Sequence, residues 1–145
     1  MYEIFADLHI HIGRAENGKP IKITGARSLN FANIAKECYE RKGIQVAGII
    51  DCASPYVIED IENFLKTGDA YELKDGGIIY KDKVCILLGS EVETSEKGRN
   101  GKSGSAHNVC FFPYLKDIKG FSNELAKHVK NVTLSTQRSD LSGYD

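Results

Sequence analysis

Asp7, His9 and His11 occupy alternate positions in the segment Asp7-Leu8-His9-Ile10-His11. Side chains in an extended strand alternate between its two faces, so this pattern predicts one shared face, with ligand positions about 7 Å apart at Cα. Two imidazoles at that spacing can converge on one divalent ion, and a carboxylate beside them can complete or orient the site. Leu8, Ile10 and Ile12 form the opposite, aliphatic face. The competing explanation is a pair of inert, hydrogen-bonded core histidines. Two histidines alternating with an aspartate favour the metal.

Other residues extend this chemistry. Asp51 ends the apolar run Val46-Ala47-Gly48-Ile49-Ile50. A carboxylate at the C-terminal tip of a parallel strand points into the usual ligand crevice, although a turn or capping role is as natural. Glu91 and Glu93 close Leu87-Leu88-Gly89-Ser90-Glu91-Val92-Glu93. Burying such a carboxylate requires a cation nearby, and one carboxylate can bridge two ions. Glu91 is assigned to the site and Glu93 to a solvated strand end. His107 opens Ala106-His107-Asn108-Val109-Cys110-Phe111-Phe112 after a glycine-rich segment, Lys97 to Ser105, that reads as a flexible lid. Alone it is equally a strand-edge histidine. His128 suits a helix C-terminus and a structural role. Arg14, Lys19, Lys22 and Arg27 lie in the first loop and read as solvated charges or phosphate contacts. Cys52 is either a soft ligand or a small packed thiol. No GxSxG elbow, phosphate-binding loop or dinucleotide fingerprint is present.

The elements that position these groups follow from periodicity. Strands are predicted over 4–12, 45–51, 83–94 and 106–112, with a further one starting at 132–135. A helix is expected from Asn30 to Lys42, burying Phe31, Ile34, Ala35 and Cys38, with Gly43 after its end. Ser54-Pro55 reads as the N-cap and first residue of a second helix, with Ile58, Ile61, Phe64 and Leu65 inward and Gly68 at its end. Gly76-Gly77 marks a hairpin within 69–83. A third helix is expected over 117–130. Strands alternating with helices imply an α/β fold with a mostly parallel sheet.

Composition bounds the function classes. The chain has 145 residues, 41% hydrophobic and 27% charged, with a net charge of −1. That is ordinary for a globular domain and gives no bulk-charge signal for nucleic acid. No apolar run reaches the roughly 20 residues a spanning helix needs. The first residues lack the basic start of a signal peptide. Cys38, Cys52, Cys85 and Cys110 form no CxxC pair, so reduced thiols and a cytoplasmic location are expected.

These motifs resemble those of the PHP (polymerase and histidinol phosphatase) family. Asp7, His9 and His11 match its DxHxH motif, Asp51 the aspartate after an apolar strand, Gly89 and Glu91 a strand-end GxE, and His107 a later histidine. The segments ADLHIHIGR, LLGSEVE, HNVCFFP and LSTQR are similar to its endonuclease Q-like branch. Two departures accompany the resemblance. Cys52 stands where many members carry histidine, and the late Asp-x-His motif has no counterpart: Asp140 is followed by Leu141 and Ser142, Asp145 is the last residue, and Gln137 stands near a further histidine position.

The resemblance implies that residues 1–145 are a single domain, the N-terminal part of a PHP domain. The implied fold class is a partial, distorted TIM-like (β/α)7 barrel with about five strands present. It implies metal ligation by Asp7, His9, His11, Asp51, Glu91 and His107, with catalytic roles for Asp51, Glu91 and His107. The expected cofactors are divalent zinc, manganese or iron ions, two or three in the intact domain. The expected activity is nicking of DNA 5′ of deaminated bases, uracil or hypoxanthine. A small-molecule phosphomonoesterase and a metal-binding module without catalysis are the rival readings. An open sheet edge further predicts self-association.

Overall fold

The structure, a computed structural model, describes residues 2–135 and the strand residues 137–138. In chain order the elements are β1 (Ala6–Ile10), α1 (Phe31–Glu37), β2 (Val46–Ile49), α2 (Pro55–Lys66), β3 (Ala70–Glu72), β4 (Ile78–Tyr80), β5 (Val84–Lys97), β6 (Ser103–Phe112), α3 (Leu115–Leu125) and β7 (Gln137–Arg138). All strands belong to one seven-stranded sheet. β1, β2 and β5 lie parallel, and β7 joins β5 in parallel at Val92 and Glu93. β3, β4 and β6 are antiparallel to their neighbours.

The sheet is therefore mixed, which corrects the expectation of a mostly parallel, TIM-like (β/α)7 barrel. The cause is three short antiparallel connections, β3 to β4, β4 to β5 and β5 to β6. A parallel pair needs a crossover of a dozen or more residues, whereas an antiparallel pair needs only a turn. Only residues 98–102 separate β5 from β6. That turn is closed by Gly98 N–H donating to Lys102 O at 2.9 Å, with Gly101 at φ 72°. Asn100-Gly101 is a strong hairpin signal, so the glycines make a tight ribbon tip in place of the expected lid. The expected strand at 132–135 is also absent: these residues form turns and bends, and the strand comes at 137–138. Asp140 and Asp145 lie outside the described residues.

Local chemistry explains the helices. Asn30 caps α1, its side chain accepting the Asn33 N–H at 2.8 Å. A π-helical turn, Cys38–Lys42, follows α1 and ends at Gly43, whose φ of 62° favours glycine. Pro55 starts α2 after Ser54, but the Ser54 hydroxyl donates to Thr133 O at 2.7 Å and does not cap the helix. Phe31, Ile34, Val57, Ile61 and Phe64 pack with Ala47, Ile49, Ile86 and Leu88 of the sheet into one apolar core. Among the described residues no helix is long and apolar enough to cross a membrane.

Among the described residues, no helix packs on the opposite face of the sheet. There the Phe111 ring lies over Gly48 and Gly89. A Cβ on Gly48 would sit 2.8 Å from Leu8 Cα and 2.9 Å from Phe111 Cε1. Leu8 Cα is backbone and cannot step aside, so β1 must shift. Gly48→Ala is expected to destabilise by about 1–3 kcal/mol, read as a lower midpoint in urea unfolding. An unchanged midpoint would refute the close approach.

Asp60 tests the buried side of α2. Burial raises its carboxyl above the usual range, although its Oδ2 accepts the Glu16 N–H at 2.9 Å. A raised folded pKa contributes stability below the unfolded value of about 3.9, and that contribution is lost as pH rises through the folded value. Asp60→Asn keeps an acceptor and removes the charge. Its Tm is expected to exceed the parent's at pH 7 by a few degrees, about 1 kcal/mol, and the gap should close near pH 4. A variant less stable at both pH values would contradict this account.

Candidate metal centre

The centre forms where β1 meets β5 across the end of β2. The β1–β2 register pairs Asp7 with Ala47, then Ile10 with Ile49. Three steps on β1 therefore match two on β2, which is a β-bulge. The extra residue puts Asp7 and Ile10 on the helix side of the sheet and His9 and His11 on the bare side. This corrects the expectation that Asp7 shares a face with the histidines. Asp7 lines a groove of about 630 Å³ with Ile10, Asn33, Ile34 and Cys38. Burial, then the charges of Asp7 and Glu37, push the Cys38 thiol up. The Asp7 carboxylate also accepts the His9 N–H at 3.1 Å, a local turn contact that steadies the bulge.

Glu91 is the hub. Its side chain is 6% exposed. Its Oε2 lies 3.5 Å from His11 Nε2, and its Oε1 lies 3.8 Å from His9 Nε2. On the other side the same Oε1 is 3.1 Å from His107 Nδ1. His9, His11 and Glu91 each offer a ligand atom within 4.8 Å of the others, and this cluster can hold a metal ion. Ligands at about 2.1 Å around a tetrahedral ion are roughly 3.4 Å apart, close to the spacing of Glu91 from the two imidazoles.

Asp51 acts behind the cluster. Its Oδ2 accepts the buried Ile12 N–H at 2.7 Å and lies 3.1 Å from His11 Nδ1. A carboxylate only accepts, so His11 Nδ1 donates to Asp51, and Nε2 is the ring nitrogen that faces Glu91. Ser135 Oγ is also 3.0 Å from Nδ1. His11 Nε2 and Glu91 Oε2 stand 3.5 Å apart, a contact that either a proton on the imidazole or a metal ion between them makes favourable. Asp51 Oδ1, buried, has no hydrogen-bond partner among the described residues, a second sign that positive charge belongs here. The cluster could hold a metal ion, and Asp51 would then be the carboxylate that orients a ligating histidine.

The remaining candidates separate cleanly. His107 meets Glu91 but stands outside the tight cluster. Glu93, assigned from sequence to a solvated strand end, is 15% exposed, with Oε1 4.0 Å from His107 Nε2. The β5–β6 register pairs Glu93 directly with His107, and a hairpin reading of Asn100-Gly101 would have revealed it. Cys52 is a packed thiol: its Sγ donates to Ile49 O at 3.1 Å, and burial pushes its pKa far up. His128 pairs with Glu124 at 3.4 Å, beyond the end of α3. Arg14 donates to Gly18 O at 3.1 Å within its own loop.

The chain is similar to the uncharacterized protein YqxK of Bacillus subtilis (strain 168), 47% identical over 138 residues. The match covers 95% of this chain and 35% of that protein, so the chain spans about a third of the length of this curated relative. No family model and no solved structure matches.

Asp51→Asn keeps an oxygen for His11 Nδ1 and the Ile12 N–H while removing the charge. Zinc or manganese affinity is expected to fall about 10- to 100-fold, measured by competition with a chromophoric chelator. His11→Ala should abolish tight binding. Equal affinity in Asp51→Asn and the parent would remove Asp51 from the centre.

Proposed function

We propose that this chain carries the metal centre of a PHP-type, metal-dependent phosphoesterase. In the intact protein it would nick DNA 5′ of deaminated bases such as uracil or hypoxanthine. One observation carries the reading: the two oxygens of buried Glu91 are divided among three imidazoles, His11 on one and His9 and His107 on the other. A carboxylate shared in this way suits two ions side by side, as phosphoester hydrolysis uses. His9, His11 and Glu91 would hold one zinc, manganese or iron ion, and Glu91 with His107 a second. The DNA substrate rests on the sequence resemblance. The open setting supports it, since the His9 and His107 side chains are 56% and 51% exposed on the bare sheet face.

Divalent ions bound there supply Lewis acidity toward a phosphoryl oxygen and make water a nucleophile at neutral pH. In hydrolysis one P–O ester bond breaks, and one P–O bond forms to the water oxygen. The chain's own groups prepare this. Asp51 fixes the His11 ring and its tautomer. Glu91 holds the His107 ring by Nδ1, and Glu93 Oε1 stands 4.0 Å from its Nε2. The Glu91 N–H donates to Ile50 O at 3.0 Å, which ties the hub to the end of β2.

The test uses the full chain loaded with manganese, zinc or iron. Its substrates are a uracil-containing DNA duplex and bis-p-nitrophenyl phosphate. A nick 5′ of uracil is expected, reduced at least about 100-fold by Glu91→Gln. Turnover of p-nitrophenyl phosphate with DNA left intact would favour the small-molecule phosphatase. Bound metal with no turnover of any ester would favour a metal-binding module.

A further inference from the structure

The β5–β6 pair runs well past the rest of the sheet. Its register continues without a break from Leu88↔Phe112 to Lys97↔Ser103. Among the described residues β7 flanks β5 at Val92 and Glu93 alone, and the last rungs, Ser95↔Ser105, Glu96↔Gly104 and Lys97↔Ser103, pair only with each other as a two-stranded ribbon. Residues 95–111 are exposed throughout. Strand alternation gives the ribbon two unlike faces. Glu91, Glu93, Ser95 and Lys97 share the face of the metal centre, opposite His107, Ser105 and Ser103. Glu96 and Thr94 lie on the other face with Gly104 and Ala106.

From Glu91 outward, the metal-side face thus changes from ligands to hydroxyls to cations. Lys97, Arg99 and Lys102 crowd the tip and make no ion pair among the described residues. Hydroxyls and cations in a row are the donors that hold a phosphate backbone. The six steps from Glu91 to Lys97 span about 20 Å at 3.4 Å per residue, the length of about six base pairs. A two-stranded ribbon also fits a DNA groove. We propose that the β5–β6 ribbon is a nucleic-acid arm, laying duplex DNA along Ser95, Ser103, Ser105 and Lys97 and gripping its phosphates with Lys97, Arg99 and Lys102. The assignment of DNA as the polyanion rests on the phosphoesterase reading; the arm itself rests on the ribbon's charge and geometry.

The test compares the full chain with a Lys97→Gln, Arg99→Gln, Lys102→Gln variant. Binding of a fluorescein-labelled 30-base-pair duplex is followed by anisotropy across a salt series. Each phosphate contact adds about 0.9 to the slope of log K against log salt, so the variant's slope should be shallower by about 2 to 3. Its metal content should match the parent's, because the three side chains lie outside the cluster. An unchanged slope, or no binding of the duplex by the parent, overturns the arm. So does a loss seen only with poly-glutamate competitor, which would point to an acidic protein instead. The two readings fail separately. An unchanged slope with nicking retained removes the arm alone, whereas a shallower slope without ester hydrolysis removes the phosphoesterase alone.

Discussion

A carboxylate withdrawn from water beside three imidazoles sets the terms for the rest of this structure. Glu91 is almost wholly buried, and burial of an uncompensated negative charge is strongly unfavourable. The surrounding features bring ring nitrogens to that oxygen pair. The bulge in β1 turns His9 and His11 to the bare face. Asp51 holds His11 by its far nitrogen, and the near one faces Glu91. The hairpin register delivers His107 and Glu93 from the other side. Among the described residues no helix covers this face, where Gly48 and Gly89 let Phe111 lie against the strands.

Much of this was legible in the sequence. The apolar stripe of α1, the turn at Gly43, the Pro55 start of α2 and the Gly76-Gly77 hairpin depend on neighbours within a few residues, and they appear where periodicity places them. His9, His11, Asp51, Glu91 and His107 do gather at one place. Asp7 does not, because a bulge is a relation between two strands and leaves no mark in a run that alternates perfectly. The mixed sheet was missed for a different reason. Alternating strands and helices suggest crossovers, while the direction of β6 is decided by five residues at 98–102, where Asn100-Gly101 outweighs the general pattern. Glu93 was set aside for the same cause, since only the register shows what stands opposite it.

The two sides of the centre are assembled over very different stretches of chain. Glu91, Glu93 and His107 belong to one hairpin whose strands are joined by a short turn. His9 lies in the first strand and His11 just after it; β2 separates β1 from β5 in the sheet, and Glu91 comes 80 positions after His11 in the chain. Contacts between neighbours form readily, and those between distant segments carry a larger loop-closure cost. The hairpin side can therefore exist before the N-terminal side arrives.

An ion shared by His11 and Glu91 would then be more than a reagent. It would act as a reversible cross-link, closing a long loop in the chain much as a disulfide does, but released by a chelator in place of a reductant. β1 is an edge strand paired on one side to β2, with residues 6–9 exposed. It is the element that such a clasp would hold most directly. Occupancy of the centre would thus set how firmly the first strand stays in the sheet, and free metal concentration would become a control on local unfolding at that edge.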